Sequence, residues 1–141
     1  MADGEDENFS DPYAVSTDEK GPEDYVRVQV VVLGLQAKNT LQGFKMVKKP
    51  ANFTVDVKYE ERSFTLLVFA KDKDKKKNPS LKNCKVHIKK LPDEIIPSDC
   101  YYKVDKELIT IFLHKAKSRS WERDLATHGL DTYTEEDGVS S

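Results

Sequence analysis

The sequence predicts an all-β fold, an antiparallel β-sandwich of short strands, and three observations carry that prediction. Between Tyr25 and His114 apolar residues recur with a period of two. No segment shows a helical period of useful length. Pro12, Pro22, Pro50, Pro79, Pro92 and Pro97 all fall between the alternating runs, where a missing backbone donor harms no ladder.

The first secure strand starts at Tyr25: Val26, Val28, Val30 and Val32 share one face and Arg27 and Gln29 the other, until Gly34 ends it. A polar stretch from Gln36 to Lys49 reads as a connection leading to Pro50. Phe53, Val55, Val57 and Tyr59 then alternate with Thr54, Asp56 and Lys58, the clearest strand signature in the chain. After the polar break Glu60-Glu61-Arg62, the run Ser63 to Ala70 is apolar on both parities, as in a central strand covered on both sides, and should pair with its predecessor as a hairpin. Lys71 to Pro79 reads as a charged loop. On the next strand Cys84, Val86 and Ile88 point one way and Lys85, His87 and Lys89 the other. Asp99 to Val104 and Glu107 to His114 flank Asp105-Lys106, a pair short enough for a tight hairpin. Trp121, beyond the last strand, is expected to fold back over the sandwich, because burying so large an apolar group is strongly favourable.

Charge is distributed unevenly. Residues 1–24 hold nine acids and one lysine, residues 25–125 hold 22 basic against 12 acidic groups, and residues 126–141 hold four acids and no base. The middle segment is the size of one ordinary domain. The chain therefore divides into an acidic, mostly disordered tail over 1–24, one basic domain over 25–125, and a second acidic disordered tail over 126–141. Within the first tail only Phe9, Tyr13 and Val15 are suited to docking as a short edge strand. No apolar run approaches the roughly 18 to 20 residues that span a bilayer, and an acidic N-terminus does not resemble a signal peptide. A cytoplasmic or also nuclear protein without membrane contact is expected. Cys84 and Cys100 lack the spacing of a disulfide scaffold and read as reduced core thiols. Asn52-Phe53-Thr54 matches a glycosylation sequon that carries no meaning without secretion.

Catalytic chemistry finds little footing. Cys84 and His87 stand three apart on a strand and so diverge, which also removes them as half a zinc site. Cys100 and His114 can meet across the last hairpin, but no third group orients them. Gly34 and Gly43 stand alone and form no phosphate loop. No enzyme, metal or cofactor is expected. Binding chemistry is better represented. Residues 71–90 carry nine lysines and two aspartates, and charge of that density speeds encounter with acidic surfaces. Lys85, His87 and Lys89 on one strand face form a candidate basic platform, with Lys45, Lys48, Lys49 and Lys58 expected nearby. Of Tyr101 and Tyr102, adjacent on a strand, one must face outward, and beside Lys103 it would suit an interface anchor. An acidic protein fits this surface better than nucleic acid, because the aromatics mostly occupy core parity. The acidic tails are expected to screen the basic body when no partner is present.

The C-terminal half resembles the close of a CS domain, the co-chaperone module of the CHORD-containing-protein and Sgt type. The residues that carry the resemblance are Leu91, Ile96-Pro97, Cys100-Tyr101-Tyr102-Lys103-Val104, the run Glu107 to Lys115, Trp121 and Leu125. Tyr59 to Val68, with the valine-rich strand before it, is most similar to calcyclin-binding protein and the CS domains of a ubiquitin-specific protease. The family often carries a tryptophan in its first strand, where this chain has only Phe9 and Tyr13. The resemblance covers residues 25–125 and implies a seven-stranded, small-heat-shock-protein-like sandwich. It also implies a non-catalytic monomer that binds heat-shock protein 90 or ties such a chaperone to ubiquitin-ligase components. Lys58, Lys85, His87, Lys89, Tyr101 and Lys103 are the residues expected to meet that partner. A regulatory domain from a larger enzyme and a passive holdase are the alternatives.

Overall fold

The structure, a computed structural model, describes residues 9–132. Among these residues ten strands form three sheets. In the first sheet β1 (Phe9–Ser10) is followed across the ladder by β8 (Asn83–Ile88), β7 (Ser63–Ala70) and β6 (Phe53–Glu60). In the second, β2 (Ala14–Asp18) is followed by β3 (Tyr25–Val31), β10 (Leu108–His114) and β9 (Tyr101–Asp105). A separate hairpin joins β4 (Ala37–Gln42) to β5 (Lys45–Pro50). The two α-helices among the described residues are short, α1 (Asp72–Lys77) and α2 (Glu122–His128).

The period-two pattern becomes one core. Val26, Val28 and Val30 of β3 and Ile109, Ile111 and Leu113 of β10 are fully buried in the same cluster as Phe64, Leu66 and Val68 of β7. Each such side chain is worth roughly 1.5–3 kcal/mol relative to exposure. Trp121 is completely buried in that cluster, as its size predicts. Central β7 is only half as covered as its sequence predicts. Phe64, Leu66, Val68 and Ala70 are buried, whereas Thr65 and Leu67 are partly accessible and Phe69 is exposed.

Several local readings are corrected. Part of the segment expected as a tail lies in the sheets. β1 pairs with β8, in parallel, so the pairing is not wholly antiparallel, and β2 pairs antiparallel with β3. Residues 9–24 thus form a strap that crosses from the edge of one sheet to the edge of the other. Its leading part, residues 1–8, lies outside the described residues. The polar stretch 36–49 is the β4–β5 arm, and Pro50 ends its second strand, opposite Ala37. Six residues of the charged 71–79 loop close into α1, which buries none of them. The β9–β10 turn is Lys106-Glu107, since Asp105 pairs with Leu108. Tertiary contacts explain that one-residue shift: Glu107 takes a left-handed φ of 54°, its N–H donates to the Leu35 carbonyl and its carbonyl accepts from Val32. Its carboxylate accepts the Gly34 N–H at 2.8 Å. Beyond Leu125, where little order is expected, α2 runs to His128 and Leu130 is buried. The Asp131 carboxylate accepts the Lys89 and Lys90 N–H groups. The remainder of that acidic tail, 133–141, lies outside the described residues.

Candidate interaction surfaces

The residues singled out in the sequence fall on two separate surfaces. Register places Lys58 opposite Thr65 and Thr65 opposite His87, a single row across β6, β7 and β8 on the outer face of the first sheet. The Thr65 hydroxyl and His87 Nδ1 share a hydrogen bond of 2.7 Å. The next row is Asp56, Leu67 and Lys85. The Lys85 ammonium lies 6.0 Å from the Phe9 ring, which packs edge-on against Phe69. Lys89 follows β8, where its backbone is held by Asp131. Asp56 and three apolar groups, Leu67, Phe9 and Phe69, therefore interrupt the expected platform. Lys45, Lys48 and Lys49 are not part of it, because they sit on the arm beside β9.

Tyr101 and Lys103 belong to the outer face of the second sheet. The Tyr101 ring stacks on Phe112 with centroids 4.6 Å apart and an angle of 18°. The Lys103 ammonium lies 5.8 Å from the same Phe112 ring. Tyr25 meets both Tyr101 and His114 edge-on, at 5.7 and 4.7 Å, and its hydroxyl donates to the Asp99 carbonyl. Burial, with Asp99 nearby, pushes the Tyr25 phenol up. The result is an aromatic ladder with a lysine at its rim. Opposite Phe112, Arg27 is held by Asp18 in a bidentate pair at 3.0 Å, and that hydrogen bond holds the Asp18 carboxyl below its usual range.

The arm supplies a wall. A groove of about 770 Å³ separates it from the outer face, with Tyr101, Phe112 and Leu108 on one side and Met46, Lys48 and Lys49 on the other. Lys48 pairs with Asp105 at 2.9 Å, which ties the arm to β9. At the arm's root the buried Asn52 accepts from Gln36 N–H and donates to the Gly34 carbonyl. Both ends of that amide are occupied, so the sequon asparagine is structural. The arm's tip is apolar: Leu41 faces Met46 across the strands, 66% and 62% exposed, and Phe44 in the turn is fully exposed. Sequence reasoning missed this element, because alternation marks a strand only where one face is covered. Gly43, at φ 65°, between two equal runs was the available signal.

Along the seam between β6 and β9, desolvation drives the Tyr59 phenol far up and raises the Cys100 thiol. Cys100 Sγ accepts the His114 backbone N–H at 3.4 Å and donates to the Ile96 carbonyl. The two residues meet, then, through the backbone, while the imidazole ring turns to Tyr25. A partly buried thiol whose pKa is raised by desolvation is a poor nucleophile. Cys84 is buried and its thiol is likewise raised by desolvation, while His87 on the opposite face is exposed. Among the described residues no group of three or more His, Cys, Asp or Glu side chains is placed to hold a metal ion, and no helix is long and apolar enough to cross a membrane. No protein-family model matches the chain, and no curated protein matches it.

Proposed function

We propose that the chain is a non-catalytic protein-binding module of the CS type, a cytoplasmic or nuclear co-chaperone or adaptor whose partner is heat-shock protein 90. On this reading β2, β3 and β6 to β10 are the seven strands of the sandwich, and β1 and the β4–β5 arm are additions. The positions behind the resemblance support it: Leu91 and Trp121 are fully buried, and Ile96-Pro97 leads directly into the hairpin's first strand. The observation that carries the functional part is the aromatic ladder of Tyr25, Tyr101 and Phe112 on an outer sheet face, rimmed by Lys103, Lys48 and Lys49. Aromatic rings that are half-buried, with Tyr101 reaching solvent, beside cations suit a protein interface with an acidic rim. The surface used is therefore the second sheet's, with Tyr101 and Lys103. Lys58, Lys85, His87 and Lys89 are left to a second contact such as a ubiquitin-ligase component.

The test is an NMR titration of the labelled chain with heat-shock protein 90 and its separate domains. Shifts clustered on Tyr101, Lys103 and Phe112 are expected; shifts within noise everywhere reject the partner. The exposed tip of Leu41, Phe44 and Met46 favours a second reading, a passive holdase. Suppression of client aggregation that survives Tyr101→Ser but is lost in Phe44→Ser would select it.

A further inference from the structure

The loop after the last strand reads Lys115-Ala116-Lys117-Ser118-Arg119-Ser120, and residues 116–120 are irregular and exposed. Both of its serines donate to carboxylates of the strap. Ser118 Oγ donates to Asp24 at 3.0 Å, and Ser120 Oγ donates to Glu19 at 2.8 Å. Glu19 carries more than that one bond. It pairs with the Nζ of Lys115, which is only 8% exposed, and accepts the N–H of Trp121 at 3.2 Å. Asp24, in the left-handed region at φ 68°, accepts the Lys115 N–H on its carbonyl. Two hydroxyls, one buried cation and two backbone N–H groups are thus the closure between residues 19–24 and the loop ahead of Trp121.

We propose that Ser118 and Ser120 are a phosphorylation site for a serine kinase directed by basic residues, and that phosphate there releases the strap. Lys117 and Arg119 stand three and one residues before Ser120, the side on which such a kinase reads charge. The serine Oγ attacks the γ-phosphorus of a nucleoside triphosphate, the diphosphate leaves, and the hydroxyl proton passes to the kinase's base. Each event replaces a hydroxyl donor with a group of charge about −1.5 to −2. At Ser120 that charge faces the Glu19 carboxylate across a former hydrogen bond and competes with it for Lys115. At Ser118 it faces Asp24. Expelling Glu19 and Asp24 removes the side-chain closure that follows β2, leaves that strand on its backbone ladder and the Asp18–Arg27 pair alone, and so loosens it on the β3 edge.

Two experiments test this on the full chain. First, phosphoserine is installed at position 120 by codon reassignment, and hydrogen exchange is read by mass spectrometry. Exchange over residues 14–18 is expected to rise at least about tenfold, which corresponds to a 1.4 kcal/mol change, with β7 and β10 unchanged. Ser120→Ala, which loses the donor but adds no charge, is expected to rise less than about threefold. Unchanged exchange in the phosphorylated chain, or an equal rise in Ser120→Ala, overturns the charge mechanism. Second, the chain is treated with cyclic-AMP-dependent protein kinase and MgATP. Incorporation that disappears in the Ser118→Ala/Ser120→Ala chain supports the site; incorporation absent from both serines overturns it.

Discussion

The strap and the arm cover opposite flanks of the layered body by contrasting means. The strap is knitted in: backbone pairs join it to both sheets, Arg27 holds Asp18 at 3.0 Å, and Lys115, Ser120 and Trp121 converge on Glu19. The arm is tethered at its root by Asn52 and along its side by Lys48–Asp105, a pair about half exposed. Its tip presents Leu41, Phe44 and Met46 to solvent. Interactions spent inside the molecule give stability, and those left unspent are available to a partner. The difference teaches that length of strand is no guide to coupling, since the two strap strands are the shorter pair and carry the more connected contacts.

The largest effect that would sharpen this contrast is at the strap's end. Trp121→Ala should destabilise the fold by about 3–5 kcal/mol, because it empties a fully buried site, and urea denaturation reads it directly. Glu19→Ala leaves the Lys115 ammonium buried without its carboxylate. With Glu19 itself 22% exposed on its side chain, a loss of about 2–3 kcal/mol is expected by the same assay, and a loss below about 0.5 kcal/mol would erase the distinction between strap and arm.

Acidification should act on the same flank. Burial raises the Glu19 carboxyl, but the hydrogen bonds from Lys115 and Ser120 outweigh it and hold it below its ordinary 4.5. Asp18 and Asp93 are also held down, by Arg27 and Arg119 respectively. Groups whose folded pKa is depressed contribute fully above the unfolded value and lose that contribution as pH falls through the folded one. Protection of the strap amides at residues 14–18, taken relative to intrinsic exchange at each pH, should therefore begin to fall below pH 4.5, ahead of β7, and simultaneous loss of both would contradict the separation. Smallest of all is Phe44→Ser, expected to change stability by less than about 0.5 kcal/mol because nothing packs on that ring. A larger cost would mean that the arm is as embedded as the strap.

How much of this was legible in the sequence follows from where burial is one-sided. Val26 to Val32, Phe53 to Tyr59 and Cys84 to Ile88 were readable because each alternates between core and solvent, and Trp121 because of its size. The arm was not, since a hairpin exposed on both faces has no burial to print a period. The strap was only partly readable: Phe9, Tyr13 and Val15 marked it, but what holds it is Asp18 and Glu19, which look like any other tail acids until Arg27 and Lys115 are brought to them. The site was half legible for a related reason. Alternation assigns a residue to a face of its own strand, so Lys85 with His87 and Tyr101 with Lys103 were grouped correctly within strands. Which sheet each strand joins depends on pairing, and pairing put the two groups on different sheets.

Affinity of the proposed partner, heat-shock protein 90, for paired variants tests the central claim most directly. Tyr101→Ser with Lys103→Ser removes the ladder's anchor and its rim cation, and calorimetry should show binding weakened by roughly tenfold or more. Lys58→Ser with His87→Ser, on the other sheet, should change it by less than about twofold, within the range of peripheral contacts. Equal losses from both pairs, or a loss confined to Lys58 and His87, would contradict the assignment of the partner to the second sheet.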